Sequence, residues 1–175
     1  PILVGHSLGA LVAVEIASRY PLVIKELVLC SPPFYKPELA ASRLPSQEDM
    51  LRTLYRTALK HPEQLEKLSP IAVKFGLANK SLKIDTSNSS SYIAALESSI
   101  INQTSLSDIA VLSLPITIMY GALDPVVVNK NITELGKTRP NITTKRIVVG
   151  HEIVGGYVKA LTRTLIGLLK QPDVS

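Results

Sequence analysis

Apolar positions along the chain fall into two alternating patterns, interrupted by one central block. Short strand-type runs occur at Ile2 to Val4, 24–30, 116–120 and 144–149. Leu27, Val28 and Leu29 are consecutive, which predicts a strand buried on both faces. Between the first two runs, Leu8, Leu11, Val12, Val14 and Ile16 predict a helix over 8–19 with a broad apolar surface, closed by Pro21. Further helices are predicted over 129–138 and 157–170, the last with Tyr157, Leu161, Leu165 and Leu168 as its buried stripe. Strands alternating with helices imply right-handed crossovers and a parallel sheet with flanking helices, an α/β architecture.

Residues 32–110 break this rhythm. Ser31-Pro32-Pro33 stops the second strand, and the block that follows has almost no alternating pattern. Met50, Leu51, Leu54, Tyr55, Ala58 and Leu59 predict a helix over 47–60, with Ser46 and Asp49 as its capping pair. Shorter helices are predicted over 62–68 and 71–78 on either side of Pro70. A polar hinge at 87–91 then leads to a helix over 92–102, with Ile93, Leu96 and Ile100 on one face. The block reads as an inserted all-helical cap or lid, 32–110, on a core formed by 1–31 and 111–175. Its tyrosines, Phe34 and Phe75 fit core packing better than a pocket wall. His61, just before Pro62, reads as a surface residue at a helix boundary.

Composition narrows the class. A length of 175 residues, 46% of them apolar, suits one domain with a subdomain. The single cysteine, Cys30, cannot form an internal disulfide, and its place at a strand end predicts a buried, inert thiol. That favours a reducing, cytoplasmic setting; the chain opens inside a strand rather than at a methionine, so a signal peptide stays open. The net charge of +5 is modest. Lys137, Arg139, Lys145 and Arg146 cluster without interleaved aromatics, which predicts a solvated face rather than a nucleic-acid surface. No apolar run approaches the ~20 residues of a membrane span. Five of the six asparagines lie in N-x-S/T, which bears on the protein only if it is secreted. One cysteine and three scattered histidines lack metal-ligand spacing, and no dinucleotide or phosphate loop is present, so no cofactor is expected.

The candidate chemistry begins at Gly5-His6-Ser7-Leu8-Gly9, between the first strand and the first helix. A serine in G-x-S-x-G sits on a sharp strand-to-helix turn, where glycines two residues to either side are expected to prevent a collision. The Leu8 backbone N–H would then face the serine oxygen as half of an oxyanion hole. Taken alone, the pentapeptide fits an ordinary helix N-cap at Ser7 equally well. Two downstream positions change that balance. Asp124, in Tyr120-Gly-Ala-Leu-Asp-Pro-Val-Val127, and His151, in Val148-Val-Gly-His-Glu-Ile153, each follow a predicted strand. Ser7 does too, and open α/β sheets place their sites at that edge.

With the order serine, aspartate, histidine, these motifs resemble the α/β-hydrolase superfamily, specifically its capped serine hydrolases with G-H-S-L-G elbows. The resemblance covers the chain outside 32–110. It implies a Ser7–His151–Asp124 triad, no metal or cofactor, and a small-molecule acyl substrate. It also implies further strands upstream of the elbow, with a loop supplying the second oxyanion donor. The chain starts at the nucleophile strand, so the expected sheet is N-terminally incomplete and its exposed first strand invites self-association. Three functions follow from the resemblance: a hydrolase of small esters, thioesters or related carbonyl compounds; an acyltransferase on the same triad; or a weakly active or non-catalytic hydrolase-fold fragment.

Overall fold

The computed structural model describes residues 1–36, 46–61 and 102–170, together with the single positions Ala94 and Ser98. The helices expected over 62–68 and 71–78, the hinge at 87–91 and most of the helix expected over 92–102 lie outside the described residues.

Among the described residues, four parallel strands form the sheet in the spatial order β1 (Ile2–His6), β2 (Glu26–Cys30), β3 (Ile116–Gly121) and β4 (Ile142–Ile147). A parallel neighbour cannot be reached by a tight hairpin, so each step needs a crossover. Helix α1 (Leu8–Arg19) supplies it between β1 and β2 and packs on both strands. Between β2 and β3 the chain forms α2 (Gln47–Lys60) and α3 (Ser105–Val111); α4 (Asn129–Thr138) links β3 to β4, and α5 (Gly156–Leu169) closes the chain. The register sets Leu29 of β2 against Gly5 of β1 and Ile118 of β3, so the three strand ends finish level.

The period-two alternation of β2 and β3 divides two cores. Leu27 and Leu29, with Ile116 and Ile118, join α1, α3 and α4 on one side of the sheet. Val28, Cys30 and Met119 face the other side, where Tyr157, Leu161, Leu165 and Leu168 of α5 pack. Helices on both sides explain why β2 and β3 are buried throughout. Burial also pushes the Cys30 thiol up to about 11, which keeps it protonated and unreactive near neutral pH.

Several local readings shift. On α1 the buried stripe is Ala10, Leu11, Ala13, Val14 and Ala17, while Val12 is exposed. Three alanines let the helix approach the sheet closely, and a count of long apolar side chains passes over them. The fourth strand is Ile142–Ile147 rather than 144–149. Its threonines and the exposed Lys145 and Arg146 suit the edge position it holds among the described strands. The Ser46–Asp49 pair closes a full capping box: Ser46 Oγ accepts from the Asp49 N–H at 3.1 Å, and Asp49 Oδ2 accepts from the Ser46 N–H at 2.9 Å. Met50 of α2 is exposed, whereas Glu48 and Arg52 are buried. Glu48 accepts from the Asn131 side chain and the Lys36 N–H, and Arg52 donates to the Lys36 carbonyl. His61 caps the end of α2 at the surface. Two of the N-x-T asparagines are consumed structurally. Asn131 is buried and donates to the Phe34 carbonyl, and Asn141 donates to the carbonyls of Leu112 and Leu114.

Phe34, Tyr35, Leu51 and Ile109 belong to the same core as the sheet, so the described part of 32–110 packs directly on it. Among the described residues, no helix is long and apolar enough to cross a membrane, and no cluster of three or more His, Cys, Asp or Glu is placed to hold a metal ion.

Candidate active site

Ser7 is pinned at both ends of its peptide. Its N–H donates to the Cys30 carbonyl at 2.9 Å, continuing the β1–β2 ladder, and its carbonyl accepts from the Ala10 N–H at 2.9 Å, opening α1. Those two demands force φ to 53°, in the left-handed region that favours glycine. A non-glycine residue held there costs about 1–3 kcal/mol and persists only because its surroundings over-determine it. The Ser7 side chain makes no capping bond to the helix, so the N-cap alternative does not describe it.

The two glycines of the elbow are not equivalent. A Cβ on Gly5 would lie 2.4 Å from the Gly9 carbonyl oxygen and 2.7 Å from Ala10 Cα, both backbone atoms. A Cβ on Gly9 would meet nothing within 4 Å. The expected collision is real on the strand side only, because the helix leaves the turn directly over Gly5.

Asp124 and His151 approach along a second close contact. A Cβ on Gly121, at the end of β3, would fall 2.4 Å from the carbonyl oxygens of both Val149 and Gly150. Glycine there lets the two loops lie backbone to backbone. The Ala122 N–H donates to the Ile147 carbonyl at 2.7 Å, and the Leu123 N–H to the Val149 carbonyl at 3.1 Å. Asp124 then turns back on itself, its Oδ1 accepting from the N–H groups of Val126 (2.9 Å) and Val127 (3.3 Å). The other oxygen, Oδ2, lies 2.8 Å from His151 Nδ1, and the Asp124 side chain is fully buried.

His151 Nε2 lies 3.0 Å from Ser7 Oγ. The structure therefore brings together all three side chains singled out in the sequence, in one hydrogen-bonded chain across the ends of β1, β3 and β4. An ionised carboxylate only accepts, so Nδ1 carries its hydrogen toward Asp124 and the Nε2 lone pair faces the serine hydroxyl. Leu8 is the first residue of α1, and its N–H is one of those that helix geometry leaves without an intrahelical acceptor.

Three neighbours whose contacts no sequence signal marks complete the surroundings. The Tyr35 hydroxyl donates to the Val126 carbonyl at 3.0 Å, and Gln47 Nε2 donates to the Pro125 carbonyl at 3.0 Å. Both fix the loop whose amides hold Asp124. His6, beside the serine, reaches the main chain of His151. No spacing rule could have exposed these contacts, since each joins segments 78 or more residues apart.

A family model described as serine aminopeptidase, S33, matches residues 1–153. No curated protein sequence matches the chain. Among solved structures, an α/β-hydrolase enzyme from a lagoon-sediment metagenome superposes with a TM-score of 0.58 at 16% identity, over 97% of this chain and 60% of that one. A monoacylglycerol lipase from Paleococcus ferrophilus gives 0.55 at 19% identity, over 97% and 67%. An epoxide hydrolase from Bacillus megaterium, in complex with its product, gives 0.61 at 18% identity, over 97% and 69%. The chain spans less than two thirds of the length of the first of these. At such identities the likeness is one of fold, the α/β-hydrolase fold.

Proposed function

The chain belongs to the serine aminopeptidase family of α/β-hydrolases, and on that footing we propose that it is a serine hydrolase acting on acyl substrates through an acyl-enzyme. The observation that carries the reading is the continuous relay from Ser7 Oγ to His151 Nε2 at 3.0 Å and from His151 Nδ1 to Asp124 Oδ2 at 2.8 Å. Serine at the elbow favours acyl chemistry over the carboxylate-nucleophile chemistry of fold relatives that open epoxides.

In this mechanism His151 Nε2 takes the hydroxyl proton as Ser7 Oγ attacks the carbonyl carbon. Asp124 keeps the imidazole in the productive tautomer and stabilises the imidazolium. The negative charge that develops on the carbonyl oxygen is met by the Leu8 N–H at the start of α1, where the helix dipole also favours it. His151 returns the proton to the leaving group, an alcohol, thiol or amine. Water then attacks the acyl-enzyme with His151 as base, releasing the acid and restoring Ser7. The substrate class is a small ester, thioester or related carbonyl compound, and no cofactor takes part.

The test is active-site titration with short-chain activated esters. Each wild-type chain should release one equivalent of leaving group in a burst, with the acyl group recovered on Ser7. No burst, or an acyl group on another residue, would remove the proposal. Adding acceptor alcohols to the same assay separates hydrolysis from acyl transfer by the products formed.

A further inference from the structure

His6 lies outside the Ser7–His151–Asp124 relay yet reaches it from the side. Its Nε2 is 3.0 Å from the main-chain carbonyl oxygen of His151, and the two imidazole centroids are 5.1 Å apart. A carbonyl oxygen only accepts, so His6 Nε2 carries a hydrogen and donates it. We propose that His6 is a positioning residue for the base: its donation to the His151 carbonyl ties the loop that carries the base to the strand that carries the nucleophile. This inference rests on the serine-hydrolase reading above.

The reason lies in how His151 is otherwise held. It sits in a segment that is neither helix nor strand, with Val148 and Val154 exposed on either side. The bond from the Leu123 N–H to the Val149 carbonyl registers this segment against the acid loop. On the nucleophile side, the Ser7 Oγ–Nε2 bond joins two side-chain tips, and tips follow wherever their backbones go. The bond from His6 fixes the backbone of the base directly to β1, one residue before the nucleophile. With both contacts made, the loop that carries His151 is registered against each partner through its main chain, at Val149 and at His151 itself.

Charge supports the same role. Burial pushes the His6 imidazole below its ordinary 6.5, so near neutral pH it donates as an uncharged ring. Asp124 and Glu152 are the acidic groups facing it, and His151 the basic one. When His151 becomes an imidazolium during the reaction, a cationic neighbour 5.1 Å away would oppose it. A neutral donor supplies the bond without that repulsion.

The experiment compares the wild-type chain with His6→Ala, His6→Asn and His6→Gln, using a fluorophosphonate probe that phosphonylates an activated serine. The probe's apparent binding constant, its limiting inactivation rate and the melting temperature are measured for each. For His6→Ala, the limiting rate should fall by about 10- to 100-fold, as expected when a reacting group drifts by up to an ångström. Probe binding should change little, and any drop in melting temperature should leave the chain folded at the assay temperature. In His6→Gln the side-chain amide can reach the same carbonyl, and most of the lost rate should return; in the shorter His6→Asn less should return. Should His6→Ala not fold, His6→Gln against His6→Asn still ranks the donors by reach. A wild-type limiting rate in His6→Ala, or a folded His6→Gln no faster than His6→Asn, would overturn the role of His6 while leaving the hydrolase reading intact. A wild-type chain that never labels at Ser7 would sink both together.

Discussion

The elbow makes a sharp prediction because its two glycines stand in opposite surroundings. In Gly5→Ala the new Cβ would sit 2.4 Å from the Gly9 carbonyl oxygen, against an ordinary contact distance of 3.4–4 Å. The opening of α1 must then retreat by about 1 Å, and all three of the closest atoms are backbone, which cannot swing aside as a flexible side chain can. Overpacking of this kind costs about 1–3 kcal/mol, and the rigid neighbours place Gly5→Ala toward the upper end. The retreat also carries Ser7, whose Oγ now lies 3.0 Å from His151 Nε2. A displacement near 1 Å opens that hydrogen bond and should slow Ser7 phosphonylation by roughly 100-fold. In Gly9→Ala nothing is met within 4 Å, and alanine is the better helix former by roughly 0.5–1 kcal/mol. Gly9→Ala should therefore be neutral or slightly stabilising and label at the wild-type rate. Urea denaturation and probe labelling of both variants give the answer. Equal damage from the two substitutions, or none from Gly5→Ala, would show that the close approach at Gly5 does not hold the elbow in place.

Three further outcomes are expected. Tyr35→Phe leaves the buried Val126 carbonyl without its donor and should lower stability by about 1–3 kcal/mol in urea titration, with slower Ser7 labelling; an unchanged midpoint would mean that the Asp124 loop does not depend on that bond. His6, depressed by burial while facing His151, Glu152 and Asp124, contributes stability that is fully present above 6.5 and is lost as pH falls through its lower folded-state value. Glu26, raised by burial, acts in the opposite sense, so the comparison is of wild type with His6→Gln: the difference in stability should vary with pH below 6.5, and a constant difference would contradict it. Among the described residues β1 pairs on one side only, with Val4 exposed, and the chain should self-associate with rising concentration in light scattering; a strictly monodisperse monomer would exclude this.

How far the sequence foretold this arrangement depended on the range of each signal. The capping box at Ser46 and Asp49, the turn at Ser7 and the aspartate and histidine after strand-type runs are local patterns, and each was legible. The start of β4 was not: Ile147, Val148 and Val149 form the strongest apolar run there, yet Val148 and Val149 belong to the loop that carries His151. Ile142 and Thr143, ahead of the expected start, pair as strand because β3 offers them a ladder. Polar positions on α2 carried no such signal. Glu48 and Arg52 lie outside the apolar face expected of that helix, yet the Lys36 main chain and the Asn131 side chain meet them. His6 lay in plain view inside the motif. Its role is set by a residue 145 positions away, which no local pattern encodes.

The proposed mechanism makes Ser7 a nucleophile activated by His151 and Asp124. Its most direct test is the rate of fluorophosphonate labelling, with the modified residue mapped by mass spectrometry, in the wild type, Ser7→Ala, Asp124→Asn, His151→Ala and the double variant Asp124→Asn/His151→Ala. One label per chain is expected, on Ser7, and none in Ser7→Ala. Rates should fall by on the order of 10⁴ in Asp124→Asn and His151→Ala, with the double variant little worse than the poorer single one, because the relay acts as a unit. A wild-type chain that is labelled elsewhere, or an Asp124→Asn or His151→Ala chain that labels Ser7 at the wild-type rate, would contradict it.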